Sequence, residues 1–337
     1  MRSTLPLSAL LLLAGCREAA PPLPTVDRAI LATIGDSAST IEGIAESDGL
    51  LYVCDWKDGT IYRIDPADPL PVAVGSLPLP PGTAVLGMVM DGGGDLFLAV
   101  PDPGVVYRVP GGRLGAADFD PARDATVFAS GAVGANGIAF DRGGSLWITG
   151  GPTGNLYRVG PSGGPVAVAA TGYAIISADT TVPVRGYVVN GIAIDSRGAV
   201  YTANTGTGEI TRLVPGSEGT PDTIAPFVRD ARLIGADGLF MDDQDNLWVD
   251  ANFRNTLARV GPDGTVTIVA SSTPDGTQPD STMRPAYSQS GVVNALRFPA
   301  ELKRIGNTMY IANLNFPIGA NTGQPSAGAT VASVTLP

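Results

Sequence analysis

One phrase, repeated along the chain, constrains the fold more than any other feature. It reads Ala236-Asp237-Gly238-Leu239-Phe240-Met241-Asp242, followed by Asn246-Leu247-Trp248-Val249. It recurs as Asn136-Gly137-Ile138-Ala139-Phe140-Asp141 before Leu146-Trp147-Ile148, and as Asn190-Gly191-Ile192-Ala193-Ile194-Asp195 before Val200-Tyr201. A degenerate copy is Glu42-Gly43-Ile44-Ala45 before Leu51-Tyr52-Val53. Self-similarity at a period of roughly 50 residues is the mark of a repeat architecture, in which each unit buries its apolar face against its neighbours.

Each unit opens with an apolar segment headed by an acid or amide and a Gly. An Asp-led turn follows, then a strand with an aromatic (Tyr52, Phe97, Trp147, Tyr201 or Trp248). After a second turn comes a third strand, such as Asn155-Leu156-Tyr157-Arg158-Val159, and usually a fourth apolar run, such as Val266-Thr267-Ile268-Val269. Four short antiparallel strands per period describe a propeller blade. The abundance of Gly (44) and Pro (29) fits many short strands and turns. The Arg of the third strand reads as a stem packed on the sheet. The Asp-led turns lack the alternating oxygen ligands of a calcium loop and read as hairpin turns.

The heads number six: Glu42, Leu86, Asn136, Asn190, Asp237 and Asn294. The sixth unit reads Asn294-Ala295-Leu296-Arg297-Phe298, then Thr308 to Asn313, then Ala329 to Val334, and lacks a fourth strand. The segment Arg28 to Ile34 has no blade of its own. The fold expected is all-β, a six-bladed propeller of four-stranded antiparallel blades over residues 29–337, with this N-terminal strand closing the ring and hiding its edges. Three inserts, Gly172 to Gly186, Pro215 to Ala231 and Ser271 to Ser290, each precede an innermost strand and so fall on one face, where loops shape binding sites.

Innermost strands line the channel of a propeller, so equivalent heads converge on the axis. Two carboxylates, Glu42 and Asp237, match the charge of one divalent cation, and the amides of Asn136, Asn190 and Asn294 add oxygens. The sequence has no His, which removes imidazole bases and the usual zinc sites. All-oxygen ligation favours a hard cation, Ca²⁺ before Mg²⁺, with Zn²⁺ and Mn²⁺ as further alternatives. We therefore assign Glu42, Asn190 and Asp237 as metal ligands. Loops after the second strand lie on the same face and bring Asp55, Asn204, Asn252, Arg254 and Asn313 toward the mouth. Of these, Asn204, Asn252 and Arg254, with Asn136, are the expected substrate contacts.

The first residues read as a processing signal: Arg2, an apolar run from Leu5 to Leu13, then Leu13-Ala14-Gly15-Cys16. This resembles the lipobox of bacterial lipoproteins, with Cys16 lipidated, residues 1–16 a signal peptide and 17–28 a tether. The apolar run is too short to span a membrane as a helix. The expected location is the cell envelope, with the membrane reached through the lipid alone. Cys54 then has no partner and reads as a buried strand residue. A net charge of −11 argues against nucleic acid. The expected partner is a small polar substrate, and a monomer is favoured.

These motifs resemble the SMP-30/gluconolactonase (luciferin-regenerating-enzyme-like) family of six-bladed propellers. That family has a Glu-Gly in blade one, an Asn-Gly in blade four and an Asp-Gly in blade five as divalent-metal ligands, matching Glu42-Gly43, Asn190-Gly191 and Asp237-Gly238. A blade-three Asn, matching Asn136, contacts substrate or metal-bound water there. Sugar-lactonase members carry an Arg two residues before that Asn, where this chain has Gly134. The resemblance implies a metal-dependent lactone or ester hydrolase in which Asp237 is the general base, as a His-free site with a weakly acidifying cation requires. The alternative is a non-catalytic binding propeller of NHL type, since one scaffold hosts both. A His-dependent lactonase or a streptogramin lyase is opposed by the absence of His.

Overall fold

The computed structural model describes residues 27–173, 176–178, 182, 185–216, 222–271, 295–316 and 328–337. Cys16 and its lipobox, Asn294, and nearly all of the insert 271–290 lie outside the described residues. Six sheets follow one another along the chain, antiparallel except for a short parallel pairing of Gly164–Pro165 with Ala129 and Ser130. Blade one comprises Ile44–Ser47, Leu50–Cys54, Thr60–Asp65 and Asp68–Ser76. Blade two comprises Met88–Met90, Leu96–Val100, Val105–Val109 and Thr126–Ser130. Blade three comprises Ile138–Phe140, Leu146–Thr149, Leu156–Val159 and Ala167–Ala170. Blade four comprises Ile192–Ile194, Val200–Asn204, Glu209–Val214 and Thr223–Arg229. Blade five comprises Ala236–Met241, Leu247–Ala251, Thr256–Val260 and Val266–Ser271.

Blade six comprises Pro299–Ile305, Thr308–Asn313 and Ala329–Thr335, and its outer strand is Arg28–Ile34. The N-terminal strand pairs antiparallel from Arg28 opposite Val334 to Ile34 opposite Ala329, so the ring closes as expected. Closure is also apolar: Ile34, Tyr310 and Val331 pack with Leu51, Val53 and Ile64 of blade one. Two expectations need correction. The innermost strand of blade six is Pro299–Ile305, not the segment from Asn294 to Phe298. The stretch 215–231 is not purely an insert, because Thr223–Arg229 is the fourth strand of blade four.

The repeat is held by two devices. The first is the Asp turn. In Asp91, Asp141, Asp195 and Asp242 one carboxylate oxygen accepts from the backbone N–H groups two and four residues on, at 2.8–3.0 Å. The other oxygen accepts from the aromatic of the next strand in three blades, Trp147 Nε1 at 2.9 Å, Tyr201 OH at 3.2 Å and Trp248 Nε1 at 3.0 Å. The second device is the repeated Arg, which lies opposite that aromatic in blades one to five: Tyr52–Arg63, Phe97–Arg108, Trp147–Arg158, Tyr201–Arg212 and Trp248–Arg259. Arg158 lies 5.0 Å over the Trp147 ring and pairs with Asp141 at 2.8 Å, so the Arg is structural, as its stem suggested.

The register aligns the blades residue by residue. Ile44, Met88, Ile138, Ile192, Leu239 and Leu302 face Val53, Leu98, Ile148, Thr202, Val249 and Ile311. One residue earlier stand Gly43, Gly87, Gly137, Gly191 and Gly238, but Glu301 in blade six. The glycines are required by backbone packing around the axis. A Cβ on Gly191 would lie 1.9 Å from the Asp237 carbonyl oxygen, and one on Gly87 2.3 Å from that of Asn136. Gly191→Ala is expected to cost about 3 kcal/mol or more, since only main chain could yield. Gly160→Ala, where nothing lies within 4 Å, is expected to be near neutral. Thermal unfolding of the two variants checks this; equal melting temperatures would refute the packed ring.

Candidate functional site

Four sequence-assigned heads meet on the axis. Glu42, Asn136, Asn190 and Asp237 line one cavity of about 190 Å³, and all four are at least nine-tenths buried. Beneath it, Glu42, Asn136 and Asp237 also line a void of about 10 Å³ against the glycine ring and Glu301. That is close to the space one water-sized particle needs.

The electrostatics of this floor are unusual. Burial pushes Glu42 well above the usual carboxylate range, and the charges of Asp237, Glu301 and Asp250 push it further. Burial raises Asp237 to about 8; hydrogen bonds from Asn252 and Asn190 oppose the rise, and Glu301 adds to it. Asp250, on the second strand of blade five, is also raised by burial first and by Asp237 second. Among the groups that shift these acids, Lys303 is the cation. Acids buried together in this way must be protonated or share a cation.

Hydrogen bonds fix the amides. Asn252 Nδ2 donates to Asp237 Oδ2 at 2.9 Å. Asn190 Nδ2 donates to Thr205 Oγ1 at 2.9 Å, and Thr205 Oγ1 donates to the Ala236 carbonyl. This leaves Asn190 Oδ1 buried without a protein partner. Two carboxylates and an orphaned amide oxygen suit one hard divalent cation. Among the described residues no three His, Cys, Asp or Glu side chains form a metal-binding group, so amides would have to complete such a site.

The substrate contacts expected from the second-strand loops divide cleanly. Asn252 lines the cavity. Asn204 does not: its Oδ1 accepts from Thr207 N at 3.1 Å and shapes the turn. Asp55 and Asn313 do the same kind of work, Asp55 Oδ1 accepting from Thr40 N at 3.0 Å and Asn313 Oδ1 from Arg297 N at 3.0 Å. Arg254 is buried outside the cavity lining, with Asp230 as its charged neighbour. The physical reason is strand alternation. Asp55, Asn204 and Asn313 stand three residues after the strand aromatic, whereas the lining residues Trp56, Pro101, Asn252 and Leu314 stand four after it.

Sequence reasoning missed three features of the site. Tyr187, after the first insert, lines the cavity; burial raises its phenol, with Glu42 and Asp237 adding to the shift. Gly151, whose backbone is left-handed (φ +50°), packs beside the Tyr187 ring. Phe298 and Phe316 line the wall beside Leu314. Glu301 plugs the glycine ring: its Oε2 accepts from Ile44 N and Met88 N, each at 3.2 Å, and its Oε1 pairs with Lys303 Nζ at 2.7 Å.

No protein-family model matches the chain, and no curated protein matches it significantly. Solved structures do match over nearly the whole length. A luciferin-regenerating enzyme is 14% identical, with a TM-score of 0.63, over 92% of this chain and 95% of that one. A structure described as a calcium-binding protein, regucalcin, from Agrobacterium tumefaciens is 14% identical, with a TM-score of 0.60, over 94% and 96%. A putative gluconolactonase is 14% identical, with a TM-score of 0.59, over 93% of each chain. The likeness to the SMP-30/gluconolactonase propellers thus holds at the level of fold. The same fold is matched in a virginiamycin B lyase and an aldose sugar dehydrogenase, so fold alone does not select the chemistry.

Proposed function

We propose that the chain is a divalent-cation-dependent hydrolase of lactones or related esters. The observation that carries this reading is the pair of buried carboxylates, Glu42 and Asp237, beside the orphaned Asn190 Oδ1 at the base of a small-molecule cavity. Glu42, Asn190 and Asp237 would hold the cation, with Ca²⁺ preferred because every donor is oxygen. When bound, such a cation supplies Lewis-acid polarisation of a carbonyl.

The remaining steps belong to the chain. Asp237, held by Asn252, takes the proton from the attacking water, the role left to a carboxylate in a site without His. Asn136, across the floor, orients the substrate. Tyr187 stays protonated because its phenol is raised, and so can donate a hydrogen bond to the leaving oxygen. The cavity walls exclude bulk water. A binding-only propeller would explain the walls, but an apolar ligand alone would not call for paired acids at the base.

Calorimetric titration of the full chain with Ca²⁺ tests the reading, followed by a lactone and ester panel. One cation is expected per chain, with proton release on binding at neutral pH. A chain that binds no divalent cation and hydrolyses none of the panel would overturn it.

A further inference from the structure

Glu42, Asn136, Asn190 and Asp237 gather at the base of the cavity, and its wall, Asn252 apart, is apolar among the described residues: Trp56, Pro101, Phe298, Leu314 and Phe316, with the ring of Tyr187. We infer that the pocket takes an uncharged ligand bearing an aromatic or similarly bulky apolar group, so that the substrate is an apolar-substituted lactone or ester rather than a sugar lactone. This deepens the function proposed above and rests on it only for the reacting group.

The wall is built by register rather than by chance exposure. Trp56, Pro101 and Leu314 occupy in blades one, two and six the position that Asn252 fills in blade five. The scaffold can therefore place an amide there and places apolar groups instead. The polar atom of Trp56 is turned away from use, since Nε1 donates to the Val85 carbonyl at 2.7 Å. Phe298 adopts a left-handed backbone, φ +56°, which a bulky side chain rarely accepts. It is held so by its N–H donating to Asn255 Oδ1 at 2.7 Å, and its ring packs at 5.6 Å on Phe253 and 5.7 Å on Phe316. Strain at a pocket-lining aromatic points to a place where that ring is wanted.

The described lining of the pocket also offers an anion no cationic partner. No Lys or Arg lines it among the described residues. Position 134 cannot supply one, because Gly134 has φ +76° and a Cβ there would lie 2.5 Å from the Gly150 carbonyl oxygen. A sugar lactone would bring several hydroxyls against this wall, where Asn252 is the polar side chain among the described residues, and would bury more of them than it could satisfy.

Binding can be read apart from turnover with hydrolysis-resistant lactams and the full chain in Ca²⁺. Trp56 is the natural reporter, since Trp147 and Trp248 are buried within their blades. α-Phenyl-γ-butyrolactam is expected to change the tryptophan emission and to bind at least about thirtyfold more tightly than γ-butyrolactam. Gluconolactam should bind no more tightly than γ-butyrolactam. Phe316→Ala should cut the phenyl preference roughly tenfold with the circular dichroism spectrum unchanged. Tight phenyl-lactam binding without hydrolysis of any lactone would support this inference while removing the hydrolase reading. Equal affinity for the phenyl and parent lactams, tightest binding of gluconolactam, or no binding of any of the three would overturn it.

Discussion

Asp237→Asn is expected to lower hydrolysis by roughly a hundredfold to ten-thousandfold, the range for loss of a general base. It should also weaken cation binding by at least about tenfold, because one of two ligand charges is gone. The same change should leave the cation-free protein folded and less sensitive to pH. Asp237 is raised by burial to about 8 in the folded state, from an ordinary value of 3.8. A raised carboxylate contributes stability below its unfolded pKa and loses it as pH climbs through the folded value. Cation-free wild type should therefore lose stability between about pH 4 and pH 8, and Asp237→Asn should flatten that part of the profile. Asn252, whose Oδ1 has no partner, can turn to accept from the new amide. The measurements are steady-state rates on a confirmed substrate and thermal unfolding across pH in a chelator. Full activity in the variant would remove Asp237 from the chemistry.

Glu301→Gly, which restores the residue of the other five blades, is expected to destabilise the protein by roughly 3–5 kcal/mol. Comparison of sequences blade to blade suggests the opposite, since Gly is what this position otherwise requires. The structure shows why the repeat is broken. Oε2 of Glu301 satisfies the N–H groups of Ile44 and Met88 in two other blades, and Oε1 is the partner of Lys303. Removing the side chain strands two buried donors and an ammonium group at once. Glu301→Gln should fall between, because an amide oxygen can still accept from the two backbone groups. Denaturant unfolding that ranks the glycine variant at or above wild type would show that the plug is dispensable.

How far the sequence reached depended on which residue served as the marker of register. In blades one, three, four and five an acid or amide precedes Gly, and Glu42, Asn136, Asn190 and Asp237 were found at once because the repeat phrase carries them. In blade six no acid or amide precedes a Gly, and taking the amide Asn294, before Ala295, as the head placed the innermost strand too early. Counting back from the strand aromatic, Tyr310, would have put Leu302 opposite Ile311 and Glu301 in the glycine position. The mouth failed for a related reason. Asp55, Asn204 and Asn313 are polar and near the end of the second strand, but alternation turns them into the blade. Trp56 and Leu314, one residue further on, looked like core and line the cavity instead. Tyr187 and Phe316 come from connections whose path no periodicity fixes.

Ring closure has a consequence for how the protein is made. Arg28 pairs with Val334, about three hundred positions away, so one strand of blade six waits for nearly the whole chain to be synthesised. Until residues 329–335 emerge, Arg28–Ile34 and the outer face of blade one have no cover, and Glu301 cannot be locked between blades one and two. The acids of the floor come from blades one and five, on either side of that late blade. They converge only once it is inserted. A nascent chain thus carries two open sheet edges through most of its synthesis, the state most exposed to mispairing with its neighbours. Acquisition of the site and burial of the last edge are a single event.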